Sequence, residues 1–302
     1  MFLQLLRIFV DIIAPVFGLA LLGYLAGPRL GLEARTLTRY AYYLLVPAFV
    51  FDLLASARLE AGLAFRMVAF IVLVELGCAL LGFLVARGLG RPPKMVGAYV
   101  LVAVFGNVGN FGLPIVEFSQ GQAGLVAATL YFLAISTVSF LIGVTAAGWA
   151  SGGRRDAVWT AFRTPGVLAI FPALLVNGSG MELPLTVERA LGLLSGAMVP
   201  TMLVALGVQL AGIRSLRFTW DMVWASGIRL LGGPLWALGL AGILGLEGVA
   251  RVAGVLQAGM PAAVLTAIIA LEHDLVPDFV TPTVLLSTLL SLVTLTLLLA
   301  ML

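Results

Sequence analysis

Gly106-Asn107-Val108-Gly109-Asn110-Phe111-Gly112-Leu113-Pro114 decides the fold of this chain. The stretch lies in an apolar run from about Met95 to Glu117, long enough to cross a bilayer. Glycines repeated every three residues, two amides and a proline nevertheless make an unbroken helix unfavourable there. Backbone groups freed in mid-membrane cannot face lipid, so the segment must be buried in protein or line a watery cavity. A counterpart occurs in the run from about Val249 to Leu271: Gln257-Ala258-Gly259-Met260-Pro261-Ala262-Ala263. If both helices unwind and cross, two half-helix N-termini point their positive dipole ends into one cavity, which suits an anionic ligand. Gly and Pro also allow simple kinks and close packing in membrane helices. The matched positions, with amides beside both breaks, favour a binding site. The candidate substrate-binding residues are Asn107, Gly109, Asn110, Gly112, Pro114, Gln257, Met260 and Pro261.

Outward from these segments the chain is apolar almost throughout. Of 302 residues, 62% are hydrophobic and 10% charged, and the mean hydropathy is +1.14. Soluble domains average about 25% charged residues. An all-α membrane protein is therefore expected, with about 20 residues per span. Runs broken by charges, Gly and Pro give five spans in residues 1–149, at about Ile8 to Ala26, Thr36 to Leu54, Phe65 to Val85, Met95 to Glu117 and Ala123 to Trp149. Five more follow in residues 164–302, at about Thr164 to Gly178, Glu188 to Ala211, Thr219 to Leu244, Val249 to Leu271 and Pro277 to Leu302. No separate soluble domain is expected. The apolar N-terminal run reads as a retained first span, because Asp11 and Pro15 interrupt it and no basic segment precedes it apart from Arg7.

The two halves echo each other. Pro15 and Pro165, Pro47 and Pro200, and Pro114 and Pro261 are separated by 150, 153 and 147 positions. Five spans per half is an odd number, so the second copy enters the membrane upside down, an arrangement found in secondary transporters. Lys and Arg set the orientation. Arg29, Arg35, Arg39, Arg87, Arg91, Lys94, Arg154, Arg155, Arg163, Arg214 and Arg217 fall on one side; Arg7, Arg58, Arg66, Arg189 and Arg251 fall on the other. The first side is expected in the cytoplasm, with both termini outside it, in the inner (cytoplasmic) membrane.

Gly-Asn-Val-Gly-Asn-Phe-Gly-Leu-Pro at 106–114, Met-Pro-Ala-Ala-Val at 260–264 and Ser287-Thr288-Leu289-Leu290-Ser291-Leu292-Val293-Thr294 resemble the auxin efflux carrier family of bacterial permeases and plant auxin exporters. The resemblance spans nearly the whole chain. It implies a fold similar to that of bile-acid sodium symporters. Helices 1, 2, 6 and 7 would form a scaffold domain, and helices 3–5 and 8–10 a transport domain with crossed fourth and ninth helices. It also implies elevator-like alternating access, with substrate at the crossover. Only about Ala150 to Arg163 separates the halves, so the long cytoplasmic loop of many plant members is absent and a compact prokaryotic-type permease is implied.

Two ionisable residues fall at bilayer depth: Glu75 in the third span and Arg229 in the eighth, 154 positions later. Each costs about 2.5 to 3.5 kcal/mol to insert and should find a partner inside the bundle. The pair reads either as a static support or, with Glu75, as a proton- or cation-linked switch. The resemblance leans toward the switch, since plant members carry an acidic residue in the third span near the substrate pocket. Ser136 and Thr137 could offer hydroxyls to a ligand or cation, or bond back to their own helix. Gln209 reads as packing glue or cavity lining, and Asp11 and Asp52 as solvated or capping residues near span ends.

The function expected is secondary transport of a small organic anion, a carboxylate, with no cofactor beyond a coupling proton or sodium ion. A proton- or sodium-coupled uptake symporter for a dicarboxylate or other anion is the alternative. The partners expected are the anion and membrane lipid, with room for a homodimer through the scaffold. Nucleic acid is excluded because the net charge of +3 is scattered over short loops. Enzyme chemistry lacks its signatures: no His-Glu-x-x-His or Gly-x-Gly-Asp pattern occurs. The single His273, in Glu272-His273-Asp274, reads as a solvated loop residue, so no metal site is expected. The lone Cys78 reads as a small packing residue. A channel would need a continuous polar path, whereas polar groups gather around the two breaks.

Overall fold

The structure, a computed structural model, describes residues 2–57, 60–151, 164–212 and 218–302, side chains at 2, 144, 147–151 and 272 aside. The described residues are helical, with one isolated bridge between extended residues. Seven helices are long and apolar enough to cross a membrane: α1 (Leu3–Ala26), α2 (Ala34–Ser56), α3 (Ala61–Gly88), α5 (Val108–Gly143), α7 (Leu185–Ala211), α8 (Trp220–Ile243) and α11 (Pro277–Met301). Four shorter helices complete the described set: α4 (Pro93–Val104) and α6 (Pro165–Ser179), both apolar, with α9 (Gly248–Ala258) and α10 (Val264–Glu272). Leu21, Leu25, Leu84, Leu175, Leu193, Leu235, Ile243 and Val293 stand exposed around the outside. Such an apolar periphery requires lipid rather than water. The chain is an integral membrane protein. Of the charges used to orient it, Arg58, Arg154, Arg155, Arg163, Arg214 and Arg217 lie outside the described residues.

Prolines shape these helices in a consistent way. Four π-helical turns, Phe9–Ile13, Ala41–Leu45, Val108–Gly112 and Ile228–Gly232, are each followed two residues later by proline: Pro15, Pro47, Pro114 and Pro234. A proline has no N–H and its ring collides with the carbonyl four residues back. That carbonyl belongs to the central residue of each π turn, namely Asp11, Tyr43, Asn110 and Leu230. The wider turn makes room for the ring while the helix continues. Pro15 thus lies inside α1, whereas Pro165 opens α6. The two prolines matched by sequence offset do different local work.

The helix through α5 runs on to Ser151, but Gly121 (φ 66°, ψ −160°) breaks it. The break falls where the sequence puts a boundary, between Glu117 and Ala123. Glycine tolerates this positive φ without the penalty a side chain would bring.

In one group of helices α7 packs along α1 and against α2, and α2 against α6. α1 and α7 touch backbone to backbone: a Cβ on Gly23 would collide with the Val204 carbonyl, and one on Gly207 with that of Ala20. Gln209 Nε2 donates to Thr38 Oγ1 at 2.8 Å in the same group, so it acts as glue. In a second group α3 packs on α4, α5 and α8, α9 on α5, and α11 on α8 and α10. Cys78 is buried against this second group's interior, where a Cβ on Gly233 would lie 3.5 Å from its sulfur.

Candidate functional site

α4 ends at Val104 and α9 at Ala258, each followed by residues that are not helical. Phe105–Asn107 and Gly259–Ala263 form two short links, and these pair antiparallel at Gly106 and Ala262. The Asn107 N–H donates to the Pro261 carbonyl at 2.7 Å, and the Ala263 N–H to the Phe105 carbonyl at 2.8 Å. The non-helical part is shorter than the sequence suggests. Gly109 and Gly112 lie in the π turn Val108–Gly112, and Pro114 lies in the first turn of the helix beyond it.

Side chains bond several of the backbone groups left over, as buried peptide groups require. Arg229, fully buried on α8, donates from Nε to the Met260 carbonyl at 2.8 Å, from Nη1 to Ala103 at 2.8 Å and from Nη2 to Gln257 at 3.2 Å. Its Nη1 lies 3.6 Å from Glu75 Oε1, and both side chains are fully buried. Ser139 Oγ on α5 is within hydrogen-bond reach of Glu75 Oε2 (3.3 Å) and the Val104 carbonyl (2.8 Å). Ser287 Oγ on α11 accepts the Ala262 N–H at 3.1 Å and donates to the Val284 carbonyl at 3.0 Å.

α5 and α10 start just past the paired links, so their first N–H groups, which have no acceptor inside a helix, lie next to those links. Asn107 is 5% exposed and its amide Nδ2 has no hydrogen-bond partner. Gln257 is fully buried; its Nε2 donates to the Ala128 carbonyl at 3.2 Å, while Oε1 is unpartnered and abuts Gly112. Asn110 is half-buried in the π turn. Two other residues of this turn face the first helix group. Phe111 packs its ring 4.7 Å from that of Phe17 on α1, and a Cβ on Gly109 would lie 3.0 Å from Phe132 and 3.7 Å from Met202 on α7.

Asn107, Gln257, Met260 and Pro261 therefore meet at one place, with Glu75 and Arg229 directly behind it. Ser136 and Thr137 do not join them in a hydrogen bond: the Thr137 hydroxyl bonds back to Leu133 of its own helix, and Ser136 is half-buried. Ser139, three residues further on, makes the contact instead. Nothing in the sequence separated it from its neighbours, whereas Ser287 lies in a quoted motif and could have been picked out. His273 caps α10 by donating its backbone N–H to Ile269. Among the described residues no group of three or more His, Cys, Asp or Glu side chains is placed to hold a metal ion.

The described residues thus form an apolar helical bundle in which the Asn107 amide nitrogen and the Gln257 amide oxygen are buried without partners beside two paired links. The chain matches the family described as Membrane transport protein over residues 8–147 and 154–299, and it belongs to that family, the auxin efflux carriers of the sequence reading. It is 30% identical over 297 residues to an uncharacterized transporter of Methanothermobacter thermautotrophicus, covering 94% of this chain and 95% of that one. It is 25% identical over 280 residues to an uncharacterized transporter of Methanocaldococcus jannaschii, covering 88% and 89%. A Rhizobium meliloti protein named "Putative malonate transporter" is 25% identical over 302 residues, covering 94% and 93%.

Proposed function

We propose that the protein is a secondary transporter of a small organic anion, a carboxylate, bound where the interrupted fourth and ninth helices cross. In this reading the chain forms ten spans in two inverted five-helix repeats. Helices 1, 2, 6 and 7 are the scaffold, and helices 3–5 and 8–10 move against it in an elevator-like cycle. The two helix groups, which touch through the Phe17 and Phe111 rings, support that division.

One observation carries the proposal: Asn107 offers a buried amide donor with no partner beside two helix N-termini. A carboxylate entering there would receive amide and peptide N–H groups, and the helix ends favour negative charge. Arg229 is already bonded to three carbonyls, so anion recognition rests on dipoles and amides. A coupled uptake symporter for a dicarboxylate is the second reading, favoured by the Rhizobium meliloti relative whose name refers to malonate. Proton or sodium is the coupling ion in that case. The reading places the protein in the inner membrane with both termini outside the cytoplasm, as a homodimer through the scaffold.

The test is counterflow in proteoliposomes with a panel of labelled mono- and dicarboxylates. Acceleration of labelled uptake by unlabelled internal substrate is expected. Its absence for every carboxylate, with large unitary currents in bilayers, would mean a pore. Repeating uptake under imposed proton or sodium gradients separates the two readings.

A further inference from the structure

We infer that Arg229 is a positioning residue that clamps the two crossing links together, and is neither an anion ligand nor a moving charge. Three of its donors end on carbonyls from two separate segments: Ala103 at the end of α4, and Gln257 and Met260 at the end of α9 and in the link beyond. The last carbonyls of a helix lack N–H donors within it and carry the negative end of its dipole. A planar guanidinium reaches such oxygens from three separate nitrogens in a fixed fork, whereas an ammonium has its three donors on a single nitrogen. Glu75, 3.6 Å away, supplies the counter-charge, and the Ser139 hydroxyl lies within reach of both Glu75 and the Val104 carbonyl of the same helix end, free to donate to either.

The surroundings are cut to fit the fork. A Cβ on Gly106 would fall on Arg229 Nη2, so the guanidinium occupies the space of a missing side chain in the paired link. Arg229 itself lies in the π turn Ile228–Gly232, and a Cβ on Gly233 just beyond would lie 2.5 Å from the Ala258 carbonyl. Both glycines let α8 approach the two helix ends closely. The clamp fixes the register in which Asn107 and the N-termini of α5 and α10 face one another. The part of this inference that concerns anion affinity rests on the proposed function; the part that concerns the links does not.

Hydrogen–deuterium exchange on the full-length purified protein tests it, with Arg229→Lys and Gly106→Ala beside wild type. Lysine keeps the charge and loses the fork; alanine keeps both charged groups and displaces the fork. Exchange at the amides of Asn107 and Ala263 should rise at least about tenfold in both variants, while α1 and α7 stay as in wild type. Malonate affinity, measured with the labelled acid, should fall with it. If wild type binds no malonate, the exchange result still stands on its own. Wild-type exchange at both links in either variant overturns the inference. So does exchange raised equally in α1 and α7, or failure of both variants to fold, since Arg229 would then support the whole bundle.

Discussion

The peptide N–H of Asn107 donates to the carbonyl of Pro261 at 2.7 Å, and this bond joins the link after α4 to the link after α9. Proline suits the accepting position because it has no N–H of its own to satisfy at that depth. Its carbonyl is engaged, and the peptide N–H of the next residue, Ala262, is taken by Ser287. Both groups are thus bonded to protein, as buried peptide groups require.

Ser287→Ala removes the acceptor of the Ala262 N–H and leaves a buried donor unpaired. A loss of about 1–3 kcal/mol is expected, read as a lower unfolding midpoint in detergent. Thr283→Val is the control, because its hydroxyl bonds only to its own helix at Phe279. Equal midpoints for the Ser287→Ala and wild-type proteins would show that the link draws nothing from α11.

Glu75→Gln leaves Arg229 as a buried cation without its counter-charge, at a cost of about 3–5 kcal/mol. Ser139→Ala removes a neutral hydroxyl and should cost about 1 kcal/mol. Thermal unfolding of the two variants should rank them in that order below wild type. A Glu75→Gln protein as stable as wild type would mean that the pair contributes little to holding the helix ends.

Gly207→Leu forces a side chain into the Ala20 carbonyl and drives α1 from α7, whereas Gly18→Leu projects into open space. Overpacking of this kind costs about 1–3 kcal/mol or more. The first variant should unfold several degrees below the second, and coincident unfolding curves would argue against the close α1–α7 packing.

Much of this was legible in the sequence. The apolar runs marked the seven helices long enough to cross a membrane, and the Gly, Asn and Pro cluster marked the link at 105–107 because Gly and Pro leave a helix readily. Glu75 and Arg229 announced each other by their cost in lipid. The extent of the break was not legible. Pro114 and Pro261 look alike in the sequence, but Pro114 follows a π turn that keeps the helix going, while Pro261 sits in an extended link. That difference depends on which neighbours supply hydrogen bonds, and those neighbours are far away in the chain. Ser139 was missed for the same reason: its role comes from facing Glu75 and Val104 across the bundle. Ser136 and Thr137 looked equally suitable.

Gly112→Ala would press a methyl group into the Gln257 amide, which is buried between Gly112 and Ala128. Displacing that amide should weaken carboxylate binding by about tenfold or more while leaving Arg229 and its carbonyls in place. Titration of a labelled carboxylate on Gly112→Ala and Gly88→Ala, the latter in open space, checks this; equal affinities would remove Gln257 from the site.

The most direct measurement is equilibrium binding of labelled carboxylates to purified wild type, Asn107→Ala, Asn110→Ala and Ser136→Ala. A hydrogen bond to a charged group is worth about 1.5–3 kcal/mol, or about a 10- to 150-fold change in affinity. Asn107→Ala should lose binding on that scale, Asn110→Ala should also weaken it, and Ser136→Ala should bind as wild type does. Unchanged affinity in Asn107→Ala and Asn110→Ala, with binding intact in wild type, would place the anion away from the crossing links.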